Sequence, residues 1–253
     1  MILLPSQPEP TAVLLALVFL VAAAYSSVGH GGASGYLAVL SFFGMDPGAM
    51  AASALCLNLV VAGSSFLLYW RAGHFAFPLL WPFALASIPA ALAGGLTRVS
   101  PRAYLALLGA ALILAACRLA WDAPRAEESL LRPPRLAVAM PAGGAIGFLS
   151  GLIGVGGGIF LSPLLLLCRW ADVKRTAAVS AAFIWVNSAA GLWGQALRQR
   201  IDWSGLAWLV VVALVGGLAG SYLGARRLPG LWLRRILSAV LLLAAGKLLR
   251  LAF

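Results

Sequence analysis

The sequence predicts an all-α, polytopic integral membrane protein made of two homologous halves. Three observations predict it. Of 253 residues, 62% are hydrophobic and only 10% are charged, with a mean hydropathy of +0.99, against about 25% charged in a soluble domain. Apolar runs of about 20 residues, the length that crosses a bilayer, recur from end to end. A glycine-rich interruption inside the first run also returns inside a later one. A soluble core could not cover this much apolar surface.

The first apolar block runs from about Thr11 to Phe43 and contains Val28-Gly29-His30-Gly31-Gly32-Ala33. A turn follows at Gly44-Met45-Asp46-Pro47-Gly48. The second block spans about Ala49 to Trp70, the third Phe75 to Leu96, and the fourth Ala103 to Trp121. Arg71, His74, Arg98 and Arg102 mark the breaks between them. The segment 122–135 is hydrophilic, with Glu127, Glu128, Pro133 and Pro134, and reads as a linker between a first repeat at 1–121 and a second at 136–253. The second repeat begins with a block from Leu136 to Leu167 that contains Ile153-Gly154-Val155-Gly156-Gly157-Gly158. Blocks at Thr176–Leu197, Trp203–Leu223 and Leu231–Leu249 follow.

The repeat is visible residue by residue. Gly29, Gly31 and Gly32 match Gly154, Gly156 and Gly157 at an offset of 125 (154 − 29). Arg98 and Arg118 match Arg227 and Lys247 at an offset of 129 (227 − 98). Glycine costs ~1 kcal/mol relative to alanine inside a helix, so such clusters predict a break in the helix. In lipid, the freed backbone groups survive only against protein or around a cavity. Paired broken helices at matching positions point to a transporter's binding site.

Each first block is too long for one straight span. It either crosses once as a tilted, broken helix or turns at the glycines and doubles back. If it crosses, Lys and Arg divide nine to nine between the two sides; if it doubles back, they divide twelve to six. The positive-inside rule favours doubling back. That leaves three further crossings per half, and the halves are then inverted, with the N-terminus outside and the linker cytoplasmic. The expected location is the cell inner membrane.

The chemistry is narrowed by what is missing. The acidic residues Glu9, Asp46, Asp122, Glu127, Glu128, Asp172 and Asp202 all fall in predicted termini or loops. No carboxylate is expected inside a span, where proton relays and cation sites usually need one. A neutral or anionic solute is favoured. The net charge of +11 comes from residues between apolar blocks, without the aromatic interleaving of a nucleic-acid groove. It reads as membrane anchoring and lipid contact, so no nucleic-acid partner is expected. Cys56, Cys117 and Cys168 suit neither zinc nor a disulfide framework. No metal and no cofactor are expected. Glu9 is the only charge before the first block, so a cleaved signal peptide is not expected.

An anion would meet the start of a short helix in each half, near Ala33 and near Gly158. Unpaired N–H groups and a partial positive charge collect there, and glycine lets a ligand approach the backbone. The substrate-binding candidates on these loops are therefore Gly29, His30, Gly31, Gly32, Gly154, Gly156, Gly157 and Gly158. The alternative is close helix packing through small residues. Ser34, Asn58, Ser180 and Asn187 are the side-chain candidates, polar and placed at depth; Ser53 is polar at depth as well. His30 could carry a proton or add charge, although Val155 stands at its matching position. Its alternative role is a neutral ring bonded to a carbonyl that the glycines free.

Gly32-Ala33-Ser34-Gly35 resembles the nucleophile motif of rhomboid proteases. Such a serine needs a histidine base on a later span, and His74 falls in a predicted loop. The glycine runs resemble nucleotide loops, but no strand precedes them and no Lys-Ser or Lys-Thr follows. No catalytic residue is expected, and the chain is not read as an enzyme.

These residues resemble the TauE/SafE family of sulfite and organosulfonate exporters. The resemblance rests on Gly29-His30-Gly31-Gly32, Gly154-Val155-Gly156-Gly157-Gly158, Ser162-Pro163-Leu164, and Lys174-Arg175-Thr176-Ala177-Ala178 leading into Asn187. It covers about residue 13 to the end. Ala33 departs from it, standing where a third glycine often lies. The resemblance implies a bacterial inner-membrane permease for small sulfur-containing or carbon-containing anions. The expected function is a secondary transporter working by alternating access, with a passive anion channel as the rival reading. Expected partners are a small anionic solute, membrane lipids and, in an assembly, further copies of the chain as a homo-oligomer.

Overall fold

Every apolar block forms a helix, and each long first block forms two. The computed structural model describes residues 11–120, 134–198, 206–226 and 231–253. Within them the helices are α1 (Ala12–Ser26), α2 (Ala33–Phe42), α3 (Pro47–Arg71), α4 (Phe77–Leu96) and α5 (Pro101–Ala120), then α6 (Leu136–Ile153), α7 (Gly158–Leu167), α8 (Val173–Arg198), α9 (Leu206–Arg226) and α10 (Leu231–Ala252). The order of long and short helices in the first five repeats in the second five. Nearly all of the predicted linker, together with Glu9, Asp122, Glu127, Glu128 and Asp202, lies outside the described residues. Among those described, α3, α4, α6, α8 and α9 are long and apolar enough to cross a membrane. Large apolar side chains such as Leu85, Trp193, Val215 and Leu243 stand on the outside, as lipid requires.

The starts of α3 and α8 fall earlier than the apolar pattern predicted, because polar residues cap them. Asp46 accepts from the Gly48 N–H at 3.0 Å, with Pro47 opening α3. Asp172 plays the same part for α8, accepting from the N–H groups of Lys174 and Arg175 at 2.8 and 2.9 Å. A carboxylate at a helix N-terminus satisfies orphan amides and meets the positive end of the helix dipole. Two of the predicted loop carboxylates thus have a structural use.

At both glycine loops the chain turns back. Gly35 in α2 lies against Val21 and Tyr25 of α1, and the Ser34 hydroxyl donates to the Tyr25 oxygen at 2.9 Å. Had the helix continued, residues 21 and 35 would be about 21 Å apart. In the second half Gly157 lies against Ile146 of α6, a pair that an unbroken helix would hold about 16 Å apart. With ten residues each, α2 and α7 are about 15 Å long, half the hydrocarbon thickness.

The halves interlock through matching pairs. On α6, Gly143, Gly147 and Gly151 seat on Phe83, Ser87 and Ala91 of α4; on α9, Gly216, Gly220 and Gly224 seat on Phe19 and Ala23 of α1 and on its C-cap Ser27. Numbers rise together, so both pairs are parallel. A Cβ at any of these six glycines would strike the partner backbone, and that close approach is what drives helix association in lipid. At the centre α3 and α8 are antiparallel: Leu55 meets Gly191, Asn58 meets Ser188, and Gly63 meets Trp185.

Candidate functional site: the paired glycine loops

Residues 27–32 join α1 to α2, and residues 154–157 join α6 to α7. The backbone there needs glycine. Gly29 and Gly32 have φ of 76° and 96°, and Gly154, Gly156 and Gly157 have 81°, 80° and 81°, a left-handed region that costs other residues about 1–2 kcal/mol. Gly31, the counterpart of Gly156, is not left-handed. Gly32 and Gly157 are the N-caps of α2 and α7, and neither offers a side chain to the first amides of its helix.

Each loop rests on the long helix of the other half. Gly29 packs against Ala177 of α8, and Gly154 packs against Ala51 of α3. Ala51 and Ala177 hold matching positions, 126 apart (177 − 51), so the two contacts are the same contact made twice. The loops then converge on one side chain. A Cβ at Gly31 would strike the Asn58 oxygen Oδ1, and a Cβ at Gly156 would strike its nitrogen Nδ2; both would also press on Ile184. Asn58 lies in the middle of α3 and is fully buried. The two interruptions therefore meet near mid-depth, on either face of a single amide.

This centre is rich in unused polar capacity. Gly31, Gly32, Val155, Gly156 and Gly157 are buried, and their N–H groups find no acceptor among the described residues. Nor do the first amides of α2 and α7 receive a side-chain cap. Asn58 Nδ2 makes only a long 3.4 Å bond to the Ser188 hydroxyl, and Asn58 Oδ1 has no partner. Buried backbone donors are almost always paired, and each one left unmade costs about 1–3 kcal/mol. Such a cluster fits a site that exchanges its partner.

The first loop adds a side-chain chain that the second lacks. His30 Nδ1 lies 3.0 Å from the Val28 carbonyl, and its Nε2 lies 2.9 Å from the Ser162 hydroxyl of α7. Ser162 in turn lies 2.8 Å from the Ser180 hydroxyl of α8. A carbonyl only accepts, so Nδ1 carries the proton and a neutral ring takes the Ser162 proton at Nε2. Rotating the two hydroxyls reverses the chain: a protonated ring donates to Ser162, and Ser162 donates to Ser180. Ser162 keeps one donor and one acceptor bond in both arrangements. This accommodates both roles weighed for His30 from the sequence.

The other candidates are placed as follows. Ser34 ties α2 to α1 through Tyr25. Asn187 Nδ2 donates to the Phe183 carbonyl of its own helix at 2.8 Å, and its Oδ1 has no partner. Gly158 borders Ile184 and the His30 ring. Ser53 leans toward the Met45 sulfur at 3.9 Å, away from the loops. Ile184 and Ser188 were passed over in the sequence: the first is apolar, and the second is a polar residue at depth like Ser180 but stands beside the more conspicuous Asn187. They are found only once α3 and α8 are set antiparallel across Asn58. Ser162 was visible in the motif, but its link to His30 crosses 132 residues.

The chain is 37% identical over 239 residues, covering 91% of itself and 95% of the relative, to "Probable membrane transporter protein y4hK" of Sinorhizobium fredii (strain NBRC 101917 / NGR234). A shorter stretch of 90 residues, 35% of this chain and 34% of the relative, is 33% identical to a "Probable membrane transporter protein" of Xylella fastidiosa (strain Temecula1 / ATCC 700964). No solved structure matches. The molecule is thus a polytopic membrane transporter, not an enzyme. Residues 14–248 match the Sulfite exporter TauE/SafE family, and the chain belongs to that family.

Proposed function

We propose that this protein is a secondary carrier for small oxyanions such as sulfite, organosulfonates or small carboxylates, and that it binds them between the two glycine loops. One observation carries the reading: both loops close on Asn58, and both carry buried amides that find no acceptor among the described residues. N–H donors at two helix starts supply positive potential without a buried cation. The loops belong to different halves, so sliding one half against the other opens the site to alternate sides. The halves are inverted; the antiparallel packing of α3 on its counterpart α8 supports this, because parallel repeats related by an axis along the membrane normal would pack them parallel. The N-terminus lies outside, the linker is cytoplasmic, and the membrane is the inner one.

The test is counterflow in proteoliposomes. Vesicles preloaded with unlabelled sulfite should accumulate labelled sulfite transiently and saturably, and Asn58→Leu should lower this at least ~100-fold, the loss of about 3 kcal/mol of polar contact. Flux that rises without saturation and shows no counterflow identifies a channel instead. Full counterflow from Asn58→Leu removes the site from the loops.

A further inference from the structure

A polar cavity lies at one end of the bundle, outside the glycine loops. Its volume is about 470 Å³, and Asp46, Gly48, Arg98, Tyr104, Leu152 and Arg198 line it. We propose that this cavity is a docking site for a small oxyanion, held by Arg98 and Arg198, from which the anion passes to the second glycine loop. The proposal rests on the carrier reading above.

The charge balance favours an anion. Arg98 is exposed just past α4, and Arg198 is half-buried at the end of α8. Among the described residues the one ion pair joins Arg175 to Asp172, so neither arginine is in one. The Asp46 carboxylate is engaged as the cap of α3. Arg198 Nη1 donates to the Thr97 carbonyl at 2.6 Å, which fixes the guanidinium and leaves the rest of its fork open. The N-terminal ends of α3 and α5, at Pro47 and Pro101, also open here and present the positive ends of their dipoles. Two like-charged forks in one cavity repel, and a shared oxyanion relieves that while matching the geometry of each.

The cavity also leads somewhere. The Tyr104 hydroxyl donates at 3.3 Å to the carbonyl of Ile153, the residue before Gly154. Ala51, which lines the cavity, is the residue against which Gly154 packs. Ala51 and Leu152 of its wall are therefore all that separates the cavity from the start of the second loop. Membrane anchoring does not account for the two arginines: in the proposed orientation they lie on the face with six Lys and Arg rather than twelve. Lys247, assigned to the same face, is already used, donating to the Ser41 carbonyl at 2.6 Å.

The oxyanion could be a free solute or a lipid phosphate, and the experiment separates them. Sodium sulfite and sodium sulfate are titrated calorimetrically into the purified full chain in an uncharged detergent. Arg98→Gln should weaken binding about 10-fold, the loss of one charge-assisted contact, and the double variant R98Q/R198Q should abolish the cavity component. Arg98→Gln leaves the Arg198–Thr97 bond in place, so an unchanged ligand-free melting temperature excludes a folding defect. Asn58→Leu should keep the arginine-dependent binding. Binding unchanged in R98Q/R198Q overturns the docking site and leaves the carrier reading standing. Arginine-dependent binding together with full transport by Asn58→Leu does the reverse. If Arg98→Gln releases phosphatidylglycerol from mixed-lipid nanodiscs but leaves sulfite binding intact, the cavity holds a headgroup and the proposal falls.

Discussion

The two glycine loops share a backbone plan and differ in their surroundings. Both turn the chain back, both cap a ten-residue helix with a left-handed glycine, and both rest on an alanine of the opposite half. The second loop carries Gly156 in the left-handed region and Val155 beside it; the first carries Gly31 outside that region and His30 beside it. The second loop is thus mostly backbone, while the first adds a titratable ring wired to α7 and α8 through Ser162 and Ser180. In the proposed site, backbone donors stand on both loops, while a titratable side chain stands on the first loop and not on the second.

The most damaging test of this comparison is Gly156→Leu beside Gly31→Leu. Both side chains would run into the Asn58 amide and Ile184. At Gly156 there is also a backbone penalty of about 1–2 kcal/mol for a left-handed φ, and at Gly31 there is none. Both variants should lose transport, and Gly156→Leu should melt at a lower temperature than Gly31→Leu. Size-exclusion profiles and melting curves in detergent, read beside counterflow, check this. Transport surviving either change breaks the view that the loops share one centre.

Most of the architecture was legible because lipid imposes a simple code. The eight apolar blocks, the two breaks and the repeat offset follow from hydropathy and glycine placement. Helix starts were displaced by two or three residues because Asp46 and Asp172 read as turn residues, whereas they cap α3 and α8. The site was legible in its backbone and not in its side chains. Asn58 and Asn187 look equivalent in sequence, yet the first lies between both loops and the second bonds its own helix. That difference depends on the crossing of α3 and α8, a long-range relation that no local pattern carries. The glycine stripes of α6 and α9 were equally hidden, since glycine at every fourth residue does not say which helix it meets.

A milder test moves the asymmetry itself. His30→Val gives the first loop the residue of the second and cuts the link to Ser162, a neutral hydrogen bond worth about 1 kcal/mol. Transport should persist at about a tenth to a third of the wild-type rate. What should vanish is its pH dependence. Protonation of the ring adds positive charge near an anion, so wild-type affinity should rise toward acid pH, and that of His30→Val should not. Concentration series of counterflow at several pH values separate an affinity effect from a rate effect. A pH profile shared by both proteins shows that His30 is a fixed, neutral strut.

The smallest effect is expected at the residue after each cap, where the loops differ by one methyl group. Ala33→Gly makes the first loop match the second, and Gly158→Ala does the opposite. In the first half the exchange deletes a buried methyl and adds helix-start entropy, about 1 kcal/mol together, and leaves every backbone donor in place. Transport by Ala33→Gly should stay within about twofold of wild type. In the second half the new methyl must displace the end of Ile184, a flexible side chain, and would sit 3.4 Å from the His30 ring. Gly158→Ala should therefore fold normally and yet slow counterflow several-fold. Equal effects from both exchanges would mean that Ile184 and His30 yield freely. The second loop would then owe its third glycine to backbone shape alone.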